Sequence, residues 1–501
     1  MYYIGVDLGT SSVKILLVDE TGAVCKSVSR TYPLEYPQPG WSQQNPEDWW
    51  DAVCILMPQL LEGVDPLEVA GLAVGGQMHG LVALDAEGCV IRPAILWNDG
   101  RTGAETEEIN RCFGKEKLLD LCGNIAFAGF TAPKLLWMRK HEPENFARIS
   151  RIMLPKDYVV YQLTGVHSCD MSDASGMLLL DVKNRCWSKE LLDYCGVSEA
   201  QMPKLFESYE KVGTVLPEVA ARLGLPAAAV VAAGAGDNAA AAVGTGTVGD
   251  GRCNVSLGTS GTIFISSDAF CLPPEGKLHS FAHADGSYHL MGCILSAASA
   301  YGWWTKEVLR AASDDEEQSP ITNDALGRNP VFFLPYLMGE RSPHNDPAAR
   351  GTFLGMTMDT GRVQMTQAVL EGVAFAIRDS VEIARQLGVR ITESGLCGGG
   401  AKSPVWRKIM ANVLQMEIQV PEQEEGAGYG AAILAMVAAG AYPTVRAACE
   451  RLRMRIPRRV YRPEAGAASR YEERYRVYRS LYPALKGVYP AMALAEEAGG
   501  T

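Results

Sequence analysis

The sequence predicts an α/β protein of two similarly built domains with a ligand cleft between them. Its 501 residues are too many for a single hydrophobic core. An apolar strand that breaks at Leu-Gly-Thr-Ser and then resumes occurs twice, around Gly9 and around Gly258. Strands and helices alternate after each copy, which indicates an ancient duplication. We therefore expect domains at residues 1–247 and 248–501, the second ending in a helical tail.

The first half is predicted to open with three short strands. Residues 2–30 are apolar runs separated by Gly-Thr-Ser-Ser and Asp-Glu-Thr-Gly, and turns this short join antiparallel neighbours. Because the first Gly-rich turn leads into a strand rather than a helix, the usual dinucleotide-binding start is disfavoured. A Trp-rich helix begins at Pro46, and strands resume at Val69.

The second half repeats this plan. A hairpin is predicted over residues 253–266, and helices follow near residues 296–310 and over residues 364–387. A strand then runs into the glycines at 398–400, and a helix begins after Pro404.

Charge, cysteine content and hydropathy argue against several classes of protein. The net charge of −12 argues against nucleic acid or an anionic membrane as a partner. None of the thirteen cysteines falls in a CxxC pair or a zinc-like cluster, so we expect reduced thiols and a cytoplasmic protein. The N-terminus lacks the layout of a signal peptide, and the most apolar stretch, residues 225–236, is shorter than the roughly 20 residues of a membrane span.

The two hairpin turns are candidate phosphate-binding sites. Each turn directs backbone N–H groups and hydroxyls toward one point, which suits phosphate oxygens. The residues concerned are Gly9, Thr10, Ser11 and Ser12 in the first copy, and Gly258, Thr259 and Ser260 in the second. Asp7 precedes the first turn and places a carboxylate where Mg²⁺ would sit beside the phosphates. The alternative is that both turns only satisfy hairpin geometry, but their repetition and the presence of Asp7 favour phosphate binding.

Asp237 is the candidate catalytic base. In GAGDNAAAAVG, Asp237 and Asn238 follow a Gly-rich loop and begin a helix of small residues. Asp237 is either a helix cap or a base that accepts a hydroxyl proton during phosphoryl transfer. Glycines at 234 and 236 favour the second interpretation, since a cap does not require them.

Two further Gly-rich stretches carry weaker signals. In GGQMHG, His79 follows Met78 at the end of a strand. A histidine at this position fits ligand contact and a structural role about equally well. Gly399 and Gly400 end a later strand and would let a flat ring or a ribose lie against the backbone.

Together and in this order, these stretches resemble the FGGY family of carbohydrate kinases. FTAPKLLWMRKHE, residues 130–142, resembles the N-terminal signature of the family, and residues 351–372 resemble its C-terminal signature. The resemblance extends from about residue 2 to about residue 440. It implies two ribonuclease-H-like domains, as in sugar kinases, actin and Hsp70, around a cleft that binds ATP with Mg²⁺.

Within the family, stretches that include GGQMHG, PAILWNDGR (residues 93–101) and CDMSDASG (residues 169–176) are most similar to members that phosphorylate D-xylulose to D-xylulose 5-phosphate. This likeness implies that Met78, His79, Asp237 and Asn238 hold the ketose. It makes Asp237 the catalytic base and Asp7 an activity-critical carboxylate, with both near Mg²⁺. Lys14 joins the expected nucleotide-binding residues. Glycerol kinases carry an Arg-Glu pair in place of Met78 and His79, which disfavours glycerol.

Two kinds of alternative stay open. One is a kinase of the same family for another ketose or a polyol, such as ribulose or fuculose. The other is a non-catalytic ATP-binding module of the actin or Hsp70 kind, which would have no need of a sugar pocket bearing Met78, His79 and Asn238. The expected partners are a small sugar and ATP, and a homodimer is compatible with the sequence.

Overall fold

The computed structural model describes residues 1–422, 426–454 and 457–492. The strands of the first half are β1 (Tyr2–Leu8), β2 (Ser12–Asp19), β3 (Val24–Thr31), β4 (Gln43–Gln44), β5 (Val69–Gly76), β6 (Val82–Leu84), β7 (Ala94–Ile95), β8 (Arg151–Met153), β9 (Ser168–Asp170), β10 (Leu180–Asp181), β11 (Cys186–Trp187), β12 (Lys204–Phe206), β13 (Lys211–Thr214), β14 (Val230–Ala232) and β15 (Ala235–Gly236). Its helices are α1 (Pro46–Leu61), α2 (Gly103–Phe113), α3 (Lys115–Cys122), α4 (Thr131–His141), α5 (Pro143–Ala147), α6 (Pro155–Thr164), α7 (Met171–Ala174), α8 (Lys189–Cys195), α9 (Pro217–Leu223) and α10 (Asp237–Thr245).

The elements of the second half follow the same alternation. Its strands are β16 (Arg252–Leu257), β17 (Gly261–Ser267), β18 (His279–Ala282), β19 (Tyr288–Ile294), β20 (Phe332–Leu334), β21 (Thr352–Leu354), β22 (Glu393–Cys397), β23 (Glu417–Pro421) and β24 (Arg458–Tyr461). Its helices are α11 (Ala298–Gly302), α12 (Asp314–Gln318), α13 (Arg362–Gln386), α14 (Pro404–Leu414), α15 (Gly426–Ala438), α16 (Val445–Arg453) and α17 (Ala465–Leu485). The helix α17 is the predicted helical tail, and residues 493–501 lie outside the described ranges.

Each half contains one large sheet, and the two sheets share a pattern. The first has the order β13-β14-β5-β1-β2-β3, and the second has the order β18-β19-β17-β16-β22-β23-β24. In both, a central strand pairs antiparallel with its hairpin partner on one side and parallel with a later strand on the other. The predicted repetition of one α/β unit is therefore present. The expected boundary at residue 247 falls between α10 and β16.

Alternation of side chains along β1 explains how the first sheet is covered. Ile4, Val6 and Leu8 are fully buried on one face and pack in a cluster with Trp49 and Met57 of α1. The helix α1 begins where the sequence predicts, with Pro46 in its first turn and Asn45 as its cap.

The opposite face of the first sheet is covered by helices from both halves. Helix α15 packs so closely on β1 that a Cβ on Gly5 would lie 1.8 Å from the carbonyl oxygen of Gly428. It also crosses α10, where a Cβ on Gly430 would lie 1.7 Å from the oxygen of Ala240. The second half thus contributes to the core of the first, which a division at residue 247 does not convey.

One predicted helix differs in form. Near residues 296–310 the chain makes the short helix α11 and then a π-helical segment, Trp303–Val308. The wider turns place the indole of Trp304 in the core, where its Nε1 donates to Thr366 Oγ1 at 3.0 Å.

The cysteine prediction agrees with the structure. All thirteen cysteines lie within the described ranges, and each is a free thiol. No helix within those ranges combines the length and the apolar character that a membrane crossing requires.

Candidate active site

Asp7 lies near the end of β1, opposite Lys14 of β2 in the hairpin register. Burial raises the pKa of Asp7 to about 6, although Lys14 acts in the other direction. The first residue of α15 approaches the carboxylate closely, since a Cβ on Gly426 would lie 3.8 Å from Asp7 Oδ2. The N-terminal end of a helix favours negative charge, so the fold supports a carboxylate here.

Asp237 is the first residue of α10, and the position before the helix is occupied by Gly236. Its Oδ1 accepts from the backbone N–H of Asn238 at 2.7 Å and from Asn238 Nδ2 at 3.1 Å. Burial and then the charge of Asp7 raise the pKa of Asp237 to about 7. The structure therefore brings Asp7 and Asp237 together, although they are far apart in sequence.

Met78 and Asn238 adjoin this carboxylate. Asn238 Nδ2 lies 3.9 Å from Met78 Sδ, and a Cβ on Gly236 would lie 3.0 Å from the same sulfur. Gly236 is therefore required by the close approach of Met78. The expected sugar-binding residues Met78, Asp237 and Asn238 form one contiguous surface.

His79 is held in an unusual backbone conformation, with a φ of 70°. Its Nδ1 donates to the carbonyl oxygen of Gly176 at 2.7 Å, because that oxygen can only accept. Burial, together with the charge of Lys134, lowers the pKa of His79 to about 3, so the ring is neutral at pH 7. A neutral ring that is protonated on Nδ1 leaves Nε2 as a hydrogen-bond acceptor.

The first hairpin turn is closed and supported from outside. Gly9 N–H donates to Ser12 O at 3.0 Å, so this group is used by the hairpin itself. Thr10 accepts from Trp97 Nε1 at its hydroxyl (2.9 Å) and from Gln44 Nε2 at its carbonyl (2.7 Å).

The second hairpin turn is tied to the chain that precedes α11. The carbonyl oxygen of Gly258 accepts from the N–H of Ala298 at 2.9 Å, and that of Thr259 accepts from the N–H of Ala297 at 3.0 Å. Ser299 Oγ also donates to Thr259 O at 2.7 Å. These hydrogen bonds hold the turn against the start of α11.

The glycines at 398–400 have different surroundings. A Cβ on Gly400 would lie 2.8 Å from Leu257 Cβ and 2.9 Å from the ring of Trp406, so Gly400 is required by packing. A Cβ on Gly399 would meet nothing within 4 Å. Of the two predicted cofactor-binding glycines, Gly399 is the one beside open space.

Asp7 and Asp237 fit a divalent cation. Burial raises the pKa of both carboxyl groups, and the charge of Asp7 raises the pKa of Asp237 further, so a cation beside them would favour their ionised forms. Two carboxylates are also the usual protein share of an Mg²⁺ site, with water and phosphate oxygens completing it. Within the described ranges, no group of three or more His, Cys, Asp or Glu side chains is placed to hold a metal.

Several residues that shape the site were missed by sequence reasoning. Trp97 and Gly176 lie in PAILWNDG and CDMSDASG, two stretches that the family resemblance includes but to which no role was given. Lys134, whose Nζ donates to His79 O at 2.7 Å, lies within the N-terminal signature. Each of these residues lies in a motif of the family, which is a sequence signal for a role in the site. The contacts themselves join residues 50 to 100 positions apart, so a local sequence pattern cannot predict them.

Models of the FGGY family of carbohydrate kinases match residues 2–244 with its N-terminal domain and residues 253–439 with its C-terminal domain. The chain belongs to this family. A xylulose kinase of Escherichia coli K12 is 40% identical over 492 residues, covering 96% of this chain and 99% of the relative. The predicted family and its carbohydrate kinase activity are confirmed.

Two solved kinase structures share the whole architecture. A xyloylose kinase from Brucella ovis is 42% identical with a TM-score of 0.92, covering 97% of this chain and 100% of that one. A gluconate kinase from Lactobacillus acidophilus is 26% identical with a TM-score of 0.91, covering 98% and 99%. The predicted two-domain fold class is confirmed, whereas the fold alone does not specify the sugar.

Proposed function

We propose that this FGGY kinase transfers the γ-phosphoryl group of ATP to the C5 hydroxyl of D-xylulose, giving D-xylulose 5-phosphate. The observation that carries the proposal is the grouping of Asp237 with Asp7 on one side and with Met78 and Asn238 on the other. This grouping supports the proposal that Asp237 is a base lying between the proposed phosphate site and the proposed sugar site.

Asp237 is proposed to take the proton of the sugar hydroxyl as that oxygen attacks phosphorus. A hydroxyl is a weak nucleophile at neutral pH, and a carboxylate within hydrogen-bond reach lowers the barrier by accepting the proton. Asn238 fixes the Asp237 carboxylate through two hydrogen bonds to Oδ1. The other oxygen, Oδ2, is then proposed to face the substrate.

His79 and Met78 are proposed to orient the ketose. The neutral His79 ring offers Nε2 to a sugar hydroxyl, because Nδ1 is occupied by Gly176. The flexible, apolar side chain of Met78 provides a surface on which the carbon face of the sugar can pack. Correct orientation supplies much of the rate enhancement in phosphoryl transfer.

The nucleotide is proposed to bind between the two hairpin turns. The residues assigned to it are Gly9, Thr10, Ser11, Ser12, Lys14, Gly258, Thr259, Ser260, Gly399 and Gly400. Within this set, Gly400 acts by packing and Gly399 lies beside open space. Asp7 and Asp237 would hold Mg²⁺, which when bound neutralises charge on the phosphates.

D-Xylulose is favoured over other sugars by the full-length similarity to the xylulose kinase of E. coli. The gluconate kinase is less similar in sequence, although its fold is nearly as close. The free thiols support the additional proposal of a cytoplasmic location.

The test is an ADP-release assay on the purified enzyme with a panel of D-xylulose, D-ribulose, L-fuculose, gluconate and glycerol. We expect D-xylulose to give the highest kcat/KM. The Asp237→Asn variant, purified in parallel, controls for contaminating kinases. A higher kcat/KM with any other sugar of the panel would contradict the proposed substrate.

A further inference from the structure

A buried charged cluster lies beneath the segment that leads into α10 and its first residue, Asp237. Lys156 Nζ contacts Asp157 Oδ1 at 2.5 Å and Asp170 Oδ1 at 2.8 Å, and all three side chains are buried. Burial opposes the charge of Lys156, but the two carboxylates outweigh it and raise the pKa of Lys156 well above its usual value. Apolar side chains of similar volume are often at least as stabilising as a buried ion pair. Stability alone therefore does not account for the cluster.

The segment formed by residues 233–236, which ends in β15, makes three hydrogen bonds with this region: it accepts one and donates two. They join Lys156 Nζ to Ala233 O (3.4 Å), Gly234 N–H to Ser208 O (3.0 Å) and Gly236 N–H to Ser172 Oγ (3.1 Å). Residues 233–236 therefore rest on buried polar groups up to the residue before Asp237.

Asp170 fixes the direction of the hydrogen bonds made by the Ser172 and Ser208 hydroxyls. Ser172 Oγ donates to Asp170 Oδ2 at 2.5 Å, and Ser208 Oγ donates to the same oxygen at 2.7 Å. Since the Ser172 proton is committed to Asp170, its oxygen is left to accept from Gly236. We call Lys156, Asp170 and Ser172 the cradle.

We propose that the cradle is a positioning device for the catalytic base, and that Ser172 is its decisive member. It acts on Asp237 through the backbone N–H of Gly236, so Ser172 is a positioning residue. This inference rests on the proposed role of Asp237. Without the Ser172 oxygen, a buried N–H loses its acceptor, and residues 233–236 must shift to find another. A displacement of about 1 Å at a reacting group can lower a rate by roughly a hundredfold.

The same segment of the chain also reaches the sugar site. Gly176, four residues after Ser172, accepts from His79 Nδ1. A Cβ on Gly176 would lie 2.3 Å from that nitrogen, so the contact requires glycine. Residues 170–176 thus support both the proposed base and the proposed sugar ligand.

The experiment compares Ser172→Ala with Ser208→Ala in the full-length enzyme. Both serines are buried and both donate to Asp170 Oδ2, but only the Ser172 side chain accepts from Gly236. We expect Ser172→Ala to lower kcat for D-xylulose by roughly ten- to a hundredfold, with the KM for ATP unchanged. Ser208→Ala should leave kcat within about threefold of the wild type, because its backbone carbonyl still holds Gly234.

A second comparison separates positioning from general structural damage. Ser172→Ala is combined with Asp237→Asn, and a residue that acts only through the base should cause little further loss there. A loss in that background equal to the loss in the wild type would overturn the cradle proposal, as would equal effects of Ser172→Ala and Ser208→Ala. If Ser172→Ala does not fold, Ser172→Cys keeps a weak acceptor and takes its place in both comparisons.

The same data distinguish failure of the inference from failure of the proposed function. A loss of less than tenfold in Asp237→Asn alone would overturn the base assignment, and the cradle's role with it. A large loss in Asp237→Asn together with an additive effect of Ser172→Ala would overturn the cradle alone.

Discussion

At the residue scale, the role of Asp237 can be tested by a nearly isosteric change. Asp237→Asn keeps a carbonyl oxygen that can accept from Asn238, but an amide cannot take up a proton. We expect kcat for D-xylulose to fall by about 10²–10⁴-fold, the usual contribution of a general base. The Kd of a non-hydrolysable ATP analogue, measured by calorimetry, should be unchanged. Loss of nucleotide binding would instead mean that Asp237 maintains the cleft.

The proposed sugar contact of His79 is tested by His79→Asn. Asparagine tolerates the positive φ of this position better than most residues, so the backbone should be retained. Loss of the Nε2 acceptor should raise the KM for D-xylulose by roughly tenfold or more and leave the KM for ATP unchanged. His141→Asn, at an exposed histidine that stacks on Trp137, is the control. An equal rise in both KM values would place His79 outside the sugar pocket.

At the scale of elements, the crossing of α10 and α15 links the position of Asp237 to a helix from the other half of the chain. Gly430→Ala would force a Cβ to within 1.7 Å of Ala240 O, and α10 would have to move. We expect a lower Tm, with a destabilisation of about 1–3 kcal/mol as for other overpacked cores. We also expect a lower kcat, because α10 begins with Asp237.

Gly466→Ala in α17 is the matched control for this variant. A Cβ at Gly466 meets only Arg470 Nη1, at 3.5 Å, so alanine should be neutral or slightly stabilising. A Gly430→Ala enzyme with the Tm and kcat of the wild type would show that the crossing can relax without moving the base.

At the scale of the whole molecule, a buried carboxylate makes stability depend on pH. Glu340 is 2% exposed, its Oε1 accepts from the N–H groups of Leu295 and Arg341, and its Oε2 has no hydrogen-bond partner in the described part of the chain. Burial raises the pKa of Glu340 to about 8. The folded protein therefore binds this proton more tightly than the unfolded chain, for which the pKa is near 4.5.

Between pH 4.5 and pH 8 this group therefore lowers the stability as pH rises, by up to about 1.4 kcal/mol per pH unit. Glu340→Gln imitates the protonated form and should remove the effect. We expect the variant to melt at a higher temperature than the wild type at pH 8, with the difference shrinking at pH 5. Glu144→Gln, at an exposed position, should leave the pH dependence of Tm unchanged. Parallel Tm curves for the wild type and Glu340→Gln would contradict this account.

Local signals predicted a large part of this architecture. The hairpins around Gly9 and Gly258, the helix that starts at Pro46 and the helix that starts at Asp237 each follow from apolar periodicity and from turn or cap residues. Contacts between distant segments were not accessible in this way. The sequence around Gly236 does not indicate that its N–H donates to Ser172 Oγ. The sequence around His79 likewise does not indicate that its Nδ1 donates to Gly176 O.

The packing of helices from the end of the chain on the first sheet has a consequence for biosynthesis. The face of the first sheet that includes Tyr3, Leu16 and Ala73 is covered by α15 and α16 from near the end of the chain. When residues 1–247 have left the ribosome, α10 covers part of this apolar surface, and the rest stays open until residues 426–453 emerge. The nascent first half therefore exposes apolar surface of the kind that favours aggregation, and α15 and α16 bury that surface only after almost the whole polypeptide has been made.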